Sequence, residues 1–213
     1  MNELLSITAI VGIITSGIRL ATPYLFASLG EMFAQRSGVV NLGVEGIMLM
    51  GAFMGYYTVL HTGNPWLGLL VALVTGALMG LLMAVISVTM QAEQGISGIG
   101  LSLFGLGLSS LLMKVLVGTP TGVSGFQPLD VPGLSDIPII GPLFFSYAVP
   151  TYMAFALVPV TWYVLTRTTF GLKVRSVGQN PEAADSLGVS VAKTRYATVI
   201  LGAALAGVAG ASL

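Results

Sequence analysis

The chain has 213 residues, 55% of them hydrophobic and only 8% charged, with zero net charge and no cysteine. A water-soluble domain carries about 25% charged residues, so this chain has too few to cover a surface facing water, and its solvent is the bilayer. The missing cysteines exclude disulfides, thiolate metal sites and thiol nucleophiles, and the balanced charge excludes the basic field of a nucleic-acid binder.

In chain order, the start around Met1 to Leu5 has no basic n-region, so the first apolar run is expected to belong to the mature protein rather than to a cleaved signal. Five complete apolar stretches are expected near residues 4–30, 39–60, 65–90, 96–118 and 146–166, with a sixth, 196–213, cut short. A helix of about 20 residues crosses a hydrocarbon core of about 30 Å. Lipid leaves no other partner for backbone polar groups, and no alternating strand pattern suggests a barrel. The expected fold is therefore all-α, a polytopic transmembrane helix bundle in one domain over residues 1–213. The sixth stretch ends without a polar exit, so the sequence is expected to be a piece of a longer protein.

Arg19 falls inside the first stretch, followed at once by Thr22 and Pro23. A charge there is costly and commonly faces a partner or a water-filled cavity; Pro23 frees an upstream carbonyl, and a broken helix beside a charge is one way to build a mid-membrane site. Glu45, flanked by Gly43 and Gly46, is expected just inside the second stretch, sharing a polar interior with Arg19 and Asn41. The competing reading leaves Glu45 at the interface and lets Arg19 snorkel. Asn41, Gln94 and Ser97 offer neutral donors and acceptors to a sugar or base, although Ser97, Ser102, Ser109 and Ser110 can equally bond back to their own helix carbonyls. His61, the sole histidine, falls in an expected turn at 61–65 and has no companion ligands.

Small residues recur every four positions at Gly51 and Gly55, Gly76 and Gly80, and Gly202, Ala206 and Gly210, a spacing that lets helix backbones approach closely in lipid. The connection 119–146 is rich in proline (Pro120, Pro128, Pro132, Pro138, Pro142) and cannot be one regular helix. It is read either as a stiff surface connector or as a lid or docking surface. It also holds Asp130 and Asp136 but no Lys or Arg, whereas Arg167, Lys173, Arg175, Lys193 and Arg195 cluster between 167 and 195. The positive-inside rule then places 168–195 in the cytoplasm and, counting back, the N-terminus outside. Lys114 alone points the other way, and one lysine can snorkel.

Within that basic segment, residues 180–188 spell a short helix. Asn180 caps it, Pro181 suits the first position, Glu182 and Asp185 complement the dipole, and Gly188 ends it in the left-handed region. About two isolated turns are marginal in water, so this helix needs something to pack on. Glu182, Ala183 and Ala184 followed by Gly188 resemble the EAA loop of ABC importer permeases; the apolar–proline ending many of them carry is absent here. Residues 21–53, with the core Asn41-Leu42-Gly43-Val44-Glu45-Gly46, resemble permeases of the branched-chain amino acid and ribose import group, closest to its nucleoside branch. Residues 93–98 and 171–178 resemble the same branch.

The resemblance implies a permease subunit of an ATP-driven importer in a bacterial inner membrane. It implies that 168–195 is a coupling loop touching a cytoplasmic ATPase through Glu182, Ala183, Ala184, Asp185 and Gly188. It further implies a second, related permease chain, making a hetero-dimer, and an extracytoplasmic substrate-binding lipoprotein. Arg19, Asn41, Glu45, Gln94 and Ser97 become candidates for the substrate path. ATP would be bound by the partner, because this chain has no phosphate loop with its Lys-Ser/Thr ending; no cofactor is expected here. Two other classes remain. An ion-coupled carrier needs buried titratable groups, and only Arg19 and Glu45 qualify. A membrane enzyme needs a nucleophile–base pair or metal motif, and none is evident.

Overall fold

A computed structural model of the chain describes residues 7–129 and 143–213. The residues before them, together with Asp130, Pro132, Asp136, Pro138 and Pro142, lie outside the described residues. Eight helices are described: α1 (Ile7–Arg36), α2 (Val44–Thr62), α3 (Pro65–Ala84), α4 (Gln94–Leu112), α5 (Val149–Arg167), α6 (Thr169–Gln179), α7 (Pro181–Ser186) and α8 (Val191–Ala211). α3 and α4 each run on through one wider π turn, Val85–Thr89 and Met113–Val117. The described residues form no strand, only an isolated bridge between Pro128 and Ala148.

Five helices, namely α1, α3 and α4 with their extensions, α5 and α8, are long and apolar enough to cross a membrane. α2, with 19 residues, spans about 28 Å at 1.5 Å per residue, but it carries Glu45, His61 and two tyrosines. It lies against α3, α4 and α8.

Boundaries depart from the sequence expectations in three places. α1 continues past residue 30 to Arg36, because Glu31, Gln35 and Arg36 are good helix formers. It stops where Gly38 turns left-handed at φ 83°, with the Val39 N–H on the Ala34 carbonyl and the Gly38 N–H on Gln35. This ending puts Asn41 in a loop rather than in a span, and Glu45 in the first turn of α2. The last helix starts earlier than the sixth stretch expected at 196–213. Ser190 caps α8 by accepting from Lys193 N–H, so the polar residues Lys193, Thr194 and Arg195 join the helix, which has 21 residues. Pro23 does not break α1, which runs through it.

α8 is the axis of the bundle and packs on α1, α2 and α3. Its small residues explain why. Gly202 meets the Gly30 backbone of α1, and a side chain there would come within 2.5 Å of the Gly30 carbonyl oxygen. Gly207 lies between Gly51 of α2 and Gly76 of α3, and Gly80 faces Ala203. Helices gain nothing from leaving lipid for one another's apolar surface, so close backbone contact supplies the attraction. Larger side chains fill in around this seam, among them Ile47, Met83 and Val199. Phe26, Ala154 and Val208 form a second cluster where α1, α5 and α8 meet, joined by a buried Thr22–Thr151 hydroxyl contact of 3.2 Å.

Contacts at the helix ends sort the bundle into two poles. Thr89 bonds Tyr196 at 2.5 Å and Arg195 donates to Ser37. The end of α3, the start of α8 and the 36–44 turn therefore share one pole with α6 and α7. That pole holds Arg36, Arg167, Lys173, Arg175, Lys193 and Arg195, six of the eight Lys and Arg. At the other pole Tyr56 bonds both the N–H and the carbonyl of Thr121, and Trp66 meets Phe126 edge-on at 5.0 Å. Here α2 ends at Gly63, left-handed at φ 67°, and Asn64 caps α3 by accepting from Trp66 N–H. The described part of the proline-rich connection thus folds down onto α2 and α3.

Candidate functional site

Three groups of polar residues stand out. The first is the turn between α1 and α2. Glu31, in the last turns of α1, accepts from the Asn41 backbone N–H at 3.0 Å and from Gln35 Nε2 at 3.3 Å. Asn41 is only 5% exposed, and its Oδ1 accepts from Gly43 N–H at 2.9 Å. One residue earlier, Val40 N–H donates to Gln94 Oε1 at 2.8 Å. The helix-breaking Gly38 turn brings all of this together, because it folds the chain back across the end of α1. At the start of α4, Glu93 accepts from Gly95 N–H at 2.9 Å and Ile96 N–H at 2.5 Å, the geometry of an N-cap. Those amides, Ile96 first, hold the Glu93 carboxyl below its ordinary value. Ser97 donates back to the Glu93 carbonyl at 2.6 Å, and Ser109 to Leu106. Ser102 instead crosses to the Leu42 carbonyl at 3.3 Å.

Asn41 and Gln94 are therefore brought together with the start of α2, where Glu45 is exposed, and Ser97 follows one turn along α4. Arg19 is not brought to them. It borders a cavity of about 350 Å³ with Ser16, Leu20, Pro23, Ser212 and Leu213, beside the far end of α8. Twelve positions along α1 separate it from Glu31, about 18 Å at 1.5 Å per residue. The expected polar interior shared by Arg19, Glu45 and Asn41 is not formed in this structure. Sequence reading passed over Glu31, the carboxylate that organises the turn. Its only signal was a charge in a run otherwise fit for lipid.

The second group is the α6–α7 hairpin. Thr168 starts α6 by accepting from Gly171 N–H at 3.1 Å, and Val174 and Val177 anchor that helix with no exposed area. α7 forms as its residues dictate. Asn180 Oδ1 accepts from Ala183 N–H at 3.0 Å, and Pro181 takes the first position. Gly188 closes the helix at φ 81°, with its N–H on Asp185 and the Val189 N–H on Ala184. Ala184 is buried beneath the helix, while Glu182, Ala183, Asp185 and Gly188 face outward. Leu187 is 84% exposed beside them, an apolar side chain on a polar pole that the sequence reading also passed over.

The third group is a cavity of about 620 Å³ at the other pole, between α2, α4 and the 120–126 segment. Its lining is largely apolar, with Phe53, Tyr56 and Phe126, and the hydroxyl residues Ser109 and Ser110 on one wall. Among the described residues, no group of three His, Asp or Glu could hold a metal ion.

Residues 13–213 match the family described as branched-chain amino acid transport system / permease component. The chain belongs to that family. Among curated relatives, the guanosine ABC transporter permease protein NupQ of Bacillus subtilis (strain 168) is 38% identical over 200 residues, covering 89% of this chain and 63% of NupQ. The nucleoside ABC transporter permease protein NupC of Lactococcus lactis subsp. cremoris (strain MG1363) is 40% identical over 200 residues, 90% of this chain and 63% of NupC. The protein named "Putative glucose ABC transporter permease protein TsgC13", from Haloferax volcanii, is 39% identical over 206 residues, 95% of this chain and 62% of its own. This chain thus spans a little under two thirds of the length of these relatives. No solved structure matches it. The apolar helices fit a multi-pass membrane protein, the family is described as a permease component, and the expected all-α bundle is the observed one.

Proposed function

We propose that this chain is a transmembrane permease subunit of an ATP-driven importer for nucleosides and supplies half of the translocation path. The observation that carries this is α7: a short capped helix held on the basic pole by buried Ala184, presenting Glu182, Ala183, Asp185 and Leu187 outward in a chain of a permease family. Such a helix is marginal alone and suits a groove in a cytoplasmic ATPase, with the 168–195 segment acting as the coupling loop of a single membrane domain. The basic pole faces the cytoplasm under the positive-inside rule, and Arg36 adds to the residues that argue for it. The N-terminus is then outside the bacterial inner membrane. A second permease chain completes the path, and a substrate-binding lipoprotein delivers to the outer pole.

Transport follows alternating access. ATP binding draws the two ATPase subunits together, α7 moves with them, and the bundle exposes its path to one side at a time. Asn41, Gln94, Ser97 and Glu45 border that path at the inner pole, and Arg19 borders it in the outer half. Neutral amide and hydroxyl groups suit the uncharged hydroxyls of a ribose. Relatives named for guanosine and nucleosides support the substrate class. The Haloferax relative named for glucose favours a second reading, a simple sugar.

The test is uptake of labelled guanosine by cells carrying the complete importer. Guanosine uptake competed by excess uridine or adenosine but not by glucose fits the nucleoside reading; competition by glucose alone favours the sugar. Uptake that resists ATP depletion and collapses with a protonophore rejects the ATP-driven importer. Co-purification of the ATPase with the parent chain, lost on Glu182→Arg or Gly188→Arg, tests the docking helix.

A further inference from the structure

Among the described residues α7 closely contacts only its two neighbouring helices, so movement imposed on it leaves through α6 or α8. In the last turn of α6, the backbone of Gly178 lies directly on the Arg36–Gly38 turn. A methyl group at Gly178 would overlap the Arg36 carbonyl oxygen and approach Gly38 N at 3.4 Å. No compliant side chain lies between the two segments. Arg195, in the first turns of α8, clamps the same turn. Its Nε donates to the Ser37 carbonyl at 3.3 Å, and its Nη2 lies 3.5 Å from where a side chain on Gly38 would begin. Beneath it the Ser37 and Thr198 hydroxyls share a buried hydrogen bond of 2.8 Å. Two residues beyond Gly38, Val40 holds Gln94 and Asn41 is held by Glu31. The turn is therefore gripped on one side by the helix preceding α7 and by α8, and on the other it grips the start of α4.

We infer that Gly178 and Arg195 are positioning residues that form a joint through which displacement of α7 is delivered to the Asn41–Gln94 turn and the first residues of α4. This rests on α7 being the ATPase-binding helix. Interiors packed backbone on backbone shift as units rather than deform, so a displacement of α6 must move the turn or break the contact.

The chain has no cysteine, so two single-cysteine versions of the complete importer in nanodiscs test the joint: Ser186→Cys on α7 and Ile96→Cys, whose side chain is 74% exposed on α4. Each carries a spin label, and the change in its spectrum on adding ATP is recorded with and without Gly178→Ala or Arg195→Gln. The expected result is an unchanged response at Ser186 and a response at Ile96 reduced by about tenfold. Gly107→Ala, where a methyl group meets nothing within 4 Å, leaves both responses intact. An Ile96 response equal to the parent's in Gly178→Ala and Arg195→Gln overturns the joint while leaving ATPase docking in place. If Gly178→Ala does not assemble, Arg195→Gln decides alone, because it leaves the backbone contact untouched. A Ser186 label silent toward ATP already in the parent overturns the docking reading and the joint with it.

Discussion

The seam around α8 and the α6–α7 hairpin are held by different physics. The seam is made of glycine and alanine, with backbone against backbone and few side-chain hydrogen bonds. The hairpin is made of capping side chains, a proline and a left-handed glycine, and it carries most of its polar groups in water. Lipid rewards the first arrangement, because unsatisfied polar groups are costly there and small residues let van der Waals contact act at short range. Water permits the second, because exposed caps and charges need no burial. The seam therefore makes a closely packed frame, whereas the hairpin makes a handle that keeps its shape through local rules.

That contrast can be broken first at the frame. Gly202→Leu drives a side chain into the Gly30 backbone, and overpacking of this kind costs about 3 kcal/mol or more. Fluorescence-detected gel filtration in mild detergent should show loss of the monodisperse peak; a normal peak with unchanged Tm contradicts the seam. Next is the turn that links frame and handle. Glu31→Ala leaves the Asn41 N–H without its acceptor, at about 1–3 kcal/mol, while Glu31→Gln keeps an acceptor oxygen and stays within about 1 kcal/mol of the parent. Thermal unfolding followed by tryptophan fluorescence separates the two, and equal Tm values would show that the bond stabilises nothing.

At the handle the stability and binding readouts should part. Leu187→Asp changes stability by no more than about 0.5 kcal/mol, since the side chain is already exposed. It should nevertheless weaken ATPase retention by about tenfold or more if Leu187 is buried on docking. Retention at the parent level shows that Leu187 lies off the contact. Asn180→Ala removes the cap of α7 at about 1 kcal/mol, to be read as faster amide exchange at Ala183 with no change in the α8 amides. The smallest effect is at Glu93. Its carboxyl titrates below the ordinary 4.5 because the Ile96 and Gly95 amides favour the charged form. A lowered folded value means that the cap contributes above the unfolded value and is lost as pH falls through the folded one. Exchange at Ile96 should therefore rise on acidification in the parent and be independent of pH, beyond the intrinsic rate, in Glu93→Gln.

The same contrast decides what the sequence made legible. α7 could be read residue by residue, from Asn180 to Gly188, because caps and left-handed glycines act within a turn of themselves. The four-residue spacing of Gly202, Ala206 and Gly210 announced close packing, and the structure places Gly202 on Gly30. It could not announce which helices meet there, since partner choice depends on faces far apart in the chain, and the central place of α8 was invisible for that reason. Glu31 was missed because its partner, the Asn41 backbone, lies ten residues on and arrives only through the left-handed Gly38. Arg19 and Glu45 were set together because both are charges in apolar runs. Depth along a span does not reveal which pole a residue occupies, and the two lie at opposite poles.

The account depends on which side of the membrane the handle occupies. Single cysteines at Lys173 and Asn64 in intact cells, treated with a membrane-impermeant maleimide, test this directly because the chain has no cysteine of its own. The prediction is labelling of Asn64→Cys from outside and of Lys173→Cys only after the cytoplasmic face is opened. Labelling of Lys173→Cys in intact cells would contradict it.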